Sequence, residues 1–201
     1  MPEVKICGNK TVDDIQILNR YKPDYAGCIL SPGFRRSISE QTAAELRKEL
    51  MKAIPLVGVF VDDDPERIER LLKEGIIDIA QLHGSEEAAV IRRLKEKTSC
   101  EIWKVFRMKG DVDYQKIESC PADLVLLDAG TGSGECFDWK KTAQVTRPFI
   151  LAGGLQAGNV AEAVAQTRPY AVDVSSAVEC DGRKNEERIA EFIRKARGAK
   201  K

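Results

Sequence analysis

Cys7 closes the first hydrophobic run of the sequence, in VKICGNK, and Asp128 closes a later one, in DLVLLDA. A thiol and a carboxyl brought to one site can take a proton from one substrate atom and give a proton to another, which is acid–base chemistry. Each has a bland alternative: a strand cysteine is ordinarily a small buried hydrophobe, and an aspartate after LVLL can simply cap a turn. Arg36, in FRRS, carries a planar two-pronged donor suited to a carboxylate, although with Arg35 beside it surface charge competes as the explanation. His83 either lines a pocket as a neutral imidazole or hydrogen-bonds to a loop.

Anion binding has its own candidates. LAGGL supplies Gly153 and Gly154, and DVSSAVE supplies Ser175 and Ser176, small residues whose backbone N–H groups can crowd around a phosphate. Two glycine-rich turns would be the plain reading of either alone. The stretch GTGSGE after Asp128 lacks the Lys-Ser/Thr of a nucleotide P-loop, and AGTGSGE reads instead as a mobile active-site loop.

Composition narrows the chemistry further. Lys plus Arg and Asp plus Glu balance at 32 each, so no charge excess advertises nucleic acid or a membrane surface, and a small molecule is the expected partner. The single histidine is too few for most transition-metal sites, and no CxxC pair occurs, so neither metal nor cofactor is expected. Of the six cysteines, Cys28, Cys100, Cys120, Cys136 and Cys180 are assigned to packing or surface. No apolar leader and no run of about 18 apolar residues is present, and the expected location is the reducing cytoplasm.

The elements that must position these residues alternate along the whole chain. Eight short, β-branched runs occur at 4–8, 25–30, 54–61, 77–84, 101–108, 123–129, 149–154 and 171–176. Between them lie amphipathic stretches such as TVDDIQILNRY, SEQTAAELRKELMK, DPERIERLLKEG and SEEAAVIRRLKEK. Ser39 and Asp64 are placed to cap helices, Pro65 suits a first helical position, and Gly75 suits a helix end. Near-continuous hydrophobicity in the runs argues for strands covered on both faces, as in a parallel sheet. Eight strand–helix units predict an α/β fold, a (β/α)8 TIM barrel forming a single domain over 1–201. An open doubly wound sheet would want a glycine-rich turn after the first strand, and CGNKTVDD holds one glycine. In a barrel the site lies at the carboxyl ends of the strands, which hold Cys7, Arg35 or Arg36, Asp62 to Asp64, His83, Arg107, Asp128, Gly153 with Gly154, and Ser175 with Ser176.

Taken in order, VKICGN, FRRSIS, VGVFV, QLHG, LLDAGTGSGECFDW, LAGGL and DVSSAVE resemble the phosphoribosylanthranilate isomerase family across the whole chain. The resemblance implies an Amadori rearrangement of N-(5'-phosphoribosyl)anthranilate to 1-(o-carboxyphenylamino)-1-deoxyribulose 5-phosphate, an aldose-to-ketose step of tryptophan biosynthesis. It implies Cys7 as general base, Asp128 as general acid, Arg36 on the anthranilate carboxylate, the phosphate at Gly153, Gly154, Ser175 and Ser176, and Asp173 with His83 orienting the substrate. The chain departs from the family pattern after Asp128, where a frequent lysine is absent, at Ala177, where glycine is frequent, and at Phe34, where serine is frequent. The competing readings are a sister barrel isomerase of the histidine pathway and a non-catalytic binder of phosphorylated ligands. The oligomeric state is left open between monomer and homodimer.

Overall fold

The structure, a computed structural model, describes residues 1–128 and 138–198. The glycine-rich stretch after Asp128, read above as a mobile loop, and Cys136 lie outside the described residues. Eight parallel strands close into a barrel in sequence order: β1 (Glu3–Ile6), β2 (Tyr25–Ile29), β3 (Leu56–Phe60), β4 (Ile79–Leu82), β5 (Glu101–Arg107), β6 (Leu124–Asp128), β7 (Phe149–Leu151) and β8 (Ala171–Val174). Each lies inside one of the runs read from the sequence, apart from Glu3 at the start of β1. The ring closes where β8 pairs with β1, with Lys5 opposite Asp173 and Ile6 opposite Val174.

Helices α1 (Val12–Tyr21), α2 (Glu40–Glu49), α3 (Pro65–Lys73), α4 (Ala88–Lys97), α5 (Tyr114–Glu118), α6 (Val160–Thr167) and α7 (Glu186–Gly198) run between and after the strands. Their starts follow from capping chemistry. Thr11 Oγ1 accepts from Asp14 N while Asp14 Oδ2 accepts from Thr11 N, a reciprocal capping box for α1. Ser39 caps α2 through Thr42 N, and Asp64 caps α3 through Glu66 N with Pro65 in the first turn.

Two hydrophobic layers follow from the period-2 alternation of the strands. Val4, Ile6, Leu56 and Leu127 face outward into the shell between sheet and helices. Val57, Ile79, Trp103, Leu126, Ile150 and Ala171 fill the barrel interior, where Tyr25 meets Trp103 edge to face with ring centroids 4.9 Å apart.

The regular strand–helix alternation breaks twice. After β6 a 3-10 helix, Trp139–Gln144, stands in place of an α-helix, capped by Asp138 and ended where Val145 N bonds back to Thr142 O. After β8 come a 3-10 turn, Ser176–Val178, and an antiparallel ribbon of β9 (Glu179–Cys180) and β10 (Arg183–Lys184) before α7. Asp181 and Gly182 both have positive φ, 50° and 75°, the geometry of a type I′ hairpin turn that Asp-Gly favours.

Candidate active site

A cavity of about 610 Å³ opens at the carboxyl ends of the strands. Cys7, Arg36, His83, Asp128, Gly153, Gly154, Asp173, Ser175 and Ser176 all line it, so the fold brings every proposed site residue to one place. Of the other strand-end candidates, Arg107 also reaches this wall, whereas Arg35 and Asp62 to Asp64 do not. Asp62 accepts from the Ser85 backbone and hydroxyl, Asp63 pairs with Arg67, and Asp64 caps α3. Those three carboxylates are committed to local structure.

The segment Cys7-Gly8-Asn9 shows how the backbone builds one edge of the site. Cys7 N extends the ladder past β1 by donating to Val174 O at 2.8 Å, which holds the thiol at the cavity wall with 6% exposure. Gly8 then turns with φ +77°, and a Cβ there would lie 2.6 Å from Arg36 Cδ and 2.8 Å from Ser175 Oγ. Only glycine lets arginine and serine come this close to the chain. Asn9 fastens the turn by donating from Nδ2 to Ile6 O and Gly27 O.

Opposite Cys7, Asp128 ends β6 with its side chain mostly covered, and His83 Nε2 stands 3.3 Å from Asp128 Oδ2. The imidazole therefore contacts the carboxyl directly. At the far wall, Gly153 and Gly154 both adopt positive φ, 82° and 69°. The 3-10 turn after β8 starts at Ser176, also on the wall, so its first amides lack partners within the turn. Loops after the seventh and eighth strands together with the start of a short extra helix form a frequent phosphate site of parallel barrels.

Glu179, quoted in DVSSAVE but not singled out from the sequence, organises the cations. Its Oε1 accepts from Arg36 Nε at 2.5 Å and from Lys184 Nζ at 3.2 Å, and its Oε2 accepts from Arg36 Nη2 at 3.1 Å and Arg35 Nη2 at 2.7 Å. Burial would raise this carboxyl's pKa, but the Arg36 hydrogen bond and the Lys184 charge outweigh it and hold the value down at about 2. Arg36 is thus no free fork: one edge is bound to Glu179, and a ligand carboxylate must use the other. Three cations share one carboxylate here, leaving an excess of positive charge beside Ser175, which also holds Lys184 Nζ through its carbonyl at 3.0 Å. Burial pushes the Lys184 pKa down. The sequence signal for this cluster was the Asp-Gly pair at 181–182, which predicts the hairpin that carries Glu179 and Lys184.

A closed parallel barrel with a cavity at the carboxyl ends of its strands, where a thiol, carboxyls, an imidazole and arginines converge, defines a (β/α)8-barrel enzyme acting on a small molecule. The family model described as N-(5'-phosphoribosyl)anthranilate (PRA) isomerase matches residues 4–195. The N-(5'-phosphoribosyl)anthranilate isomerase of Acetivibrio thermocellus is 41% identical over 210 residues, covering 98% of this chain and 96% of that protein. The crystal structure of phosphoribosyl anthranilate isomerase from Thermus thermophilus superposes with a TM-score of 0.90 at 31% identity, covering 98% of this chain and 100% of the other. A phosphoribosyl anthranilate isomerase in complex with reduced 1-(o-carboxyphenylamino)-1-deoxyribulose 5-phosphate superposes with a TM-score of 0.86 at 32% identity, with coverage of 98% and 100%. This chain belongs to the N-(5'-phosphoribosyl)anthranilate isomerase family, isomerases of tryptophan biosynthesis.

Proposed function

We propose that the chain isomerises N-(5'-phosphoribosyl)anthranilate to 1-(o-carboxyphenylamino)-1-deoxyribulose 5-phosphate, with Asp128 as general acid and Cys7 as general base. The observation that carries this reading is that Cys7 and Asp128 line one cavity whose walls also hold Arg36 and the Gly153-Gly154 and Ser175-Ser176 turns. A substrate with a carboxylate at one end and a phosphate at the other fits such a site, held at both ends with its reacting carbons between acid and base.

Protonated Asp128 gives its proton to the furanose ring oxygen. The C1′–O bond breaks and the anilino nitrogen's lone pair forms an iminium ion. The Cys7 thiolate then removes the proton from C2′, and the C–H electron pair becomes a C1′–C2′ double bond as the nitrogen is neutralised. The enolamine relaxes to the ketone. His83, 3.3 Å from Asp128, orients the acid, and Asp173 orients the substrate beside Cys7. The unbound edge of the Arg36 guanidinium donates to the anthranilate carboxylate. Ser175, Ser176, Gly153 and Gly154 receive the phosphate.

The test follows the fluorescence of N-(5'-phosphoribosyl)anthranilate generated in place. Rapid loss with the wild-type protein, slowed at least on the order of a hundredfold by Asp128→Asn, is expected for loss of a general acid. A folded wild-type protein that binds phosphate but leaves the fluorescence unchanged would exclude the activity.

A further inference from the structure

The acid–base reading leaves Lys5, a charged residue of β1, without a task. Lys5 has no solvent exposure, and it does not line the cavity. An ammonium buried in a barrel interior persists only where it is paired, and Lys5 Nζ donates to Asp173 Oδ1 at 2.9 Å, directly across the β1–β8 ladder. That bond uses one of its three protons. The neighbouring strand shows where the ammonium also stands. A Cβ built on Gly27 would lie 2.9 Å from Cys7 Sγ and 3.1 Å from Lys5 Nζ. Thiol and ammonium therefore border one small volume that a glycine leaves empty, within about 6 Å of each other, the range over which an opposite charge stabilises an ionised group.

We infer that Lys5 is a positioning residue that holds the negative charge of Cys7 while it acts as base, with Asp173 fixing the ammonium in place. This inference rests on the proposed role of Cys7. Lys5 keeps all three of its protons throughout: the C2′ proton passes to Sγ, and the ammonium only balances the thiolate that exists before the transfer.

The surroundings of Cys7 make such a residue necessary. The Cys7 thiol is pushed up overall: burial raises it most, Lys5 is the strongest opposing influence, Asp173 adds to the rise, and Lys184 opposes it more weakly. Burial alone would discharge Lys5, but Asp173 and Cys7 more than offset this and raise its pKa. Around the thiol stand Lys5 on β1, Asp173 on β8 and Lys184 on β10, with Cys28 on the outer face of β2 and Arg36, His83, Arg107 and Asp128 on the rest of the cavity wall. Lys5 is the cation of this set that is both beside Cys7 and wholly shielded from water, where a charge acts most strongly.

The test is the pH dependence of iodoacetamide modification at Cys7, located by peptide mass mapping, in the full-length wild type, Asp173→Asn and the double variant Lys5→Met with Asp173→Asn. Removing both members of a buried pair spares the fold the cost of a lone buried charge. Asp173→Asn is expected to lower the midpoint. The double variant is expected to raise it above that of Asp173→Asn by about 1–3 pH units. A double variant that titrates with Asp173→Asn, or below it, overturns the inference. A merely structural lysine would change stability without separating these two midpoints. The underlying reading fails separately: full turnover in Cys7→Ser would remove the base assignment whatever the midpoints show.

Discussion

At the residue scale, the site is decided by how its charges are paired. Glu179 gathers Arg35, Arg36 and Lys184, and its carboxyl is 6% exposed, so its ionised form is stabilised well beyond that of a surface acid. Its folded pKa of about 2 lies below an unfolded value near 4.3, so its stabilising contribution is complete above the unfolded value and is lost as pH falls toward 2. Replacing Glu179 with Gln leaves three cations together without their counter-charge. The expected destabilisation is on the order of 3 kcal/mol at pH 7, shrinking toward zero as pH falls from about 4.5 to 2, measurable by urea unfolding across that range. The same variant is expected to raise KM more than it lowers kcat, because Arg36 loses the contact that aims it. An unchanged KM would detach Glu179 from substrate binding. Arg36 was legible in the sequence as a candidate site residue, but its occupied edge was not, because Glu179 is 143 residues away and only the closed ring brings β9 to the loop after β2.

At the element scale, the strands and the helix caps read directly from local chemistry. Hydrophobic runs bounded by turn residues gave the eight strands, and Ser39, Asp64 and Pro65 marked helix starts that the structure reproduces. Thr11 does the same work for α1, the helix that follows Cys7. Thr11→Ala removes one half of a capping box and is expected to cost about 1 kcal/mol in chemical unfolding. A loss near zero would mean that Asp14 alone, which also accepts from Lys10 N at 2.8 Å, supports the helix start. The ribbon after β8 was missed for a physical reason: strands of two residues are too short for an alternation pattern, and only the Asp181-Gly182 turn announces them. Lys5 was hidden differently. In VKICG it looks like polar punctuation in a strand, whereas strand alternation puts it on the same face as Cys7, inside the barrel.

At the scale of the whole molecule, ring closure converts eight separated strand ends into one cavity. Cys7 and Asp128 are 121 positions apart in the chain, and they line one cavity only because β8 returns to β1. The interior below the cavity supplies the rigidity. Trp103, fully buried against Tyr25 and donating from Nε1 to Glu101 Oε2 at 2.9 Å, is the largest side chain there. Trp103→Ala is expected to cost about 3–5 kcal/mol of unfolding free energy, read from denaturant midpoints, while Cys7 and Asp128 stay in place. The central claim is that Cys7 and Asp128 perform chemistry and do not merely bind. Its most direct test measures, on Cys7→Ser and Asp128→Asn, both turnover of N-(5'-phosphoribosyl)anthranilate and affinity for reduced 1-(o-carboxyphenylamino)-1-deoxyribulose 5-phosphate. Loss of turnover on the order of a hundredfold or more with affinity kept within about tenfold is the predicted result. Turnover that survives in either variant, or that falls only as far as affinity does, would contradict the account.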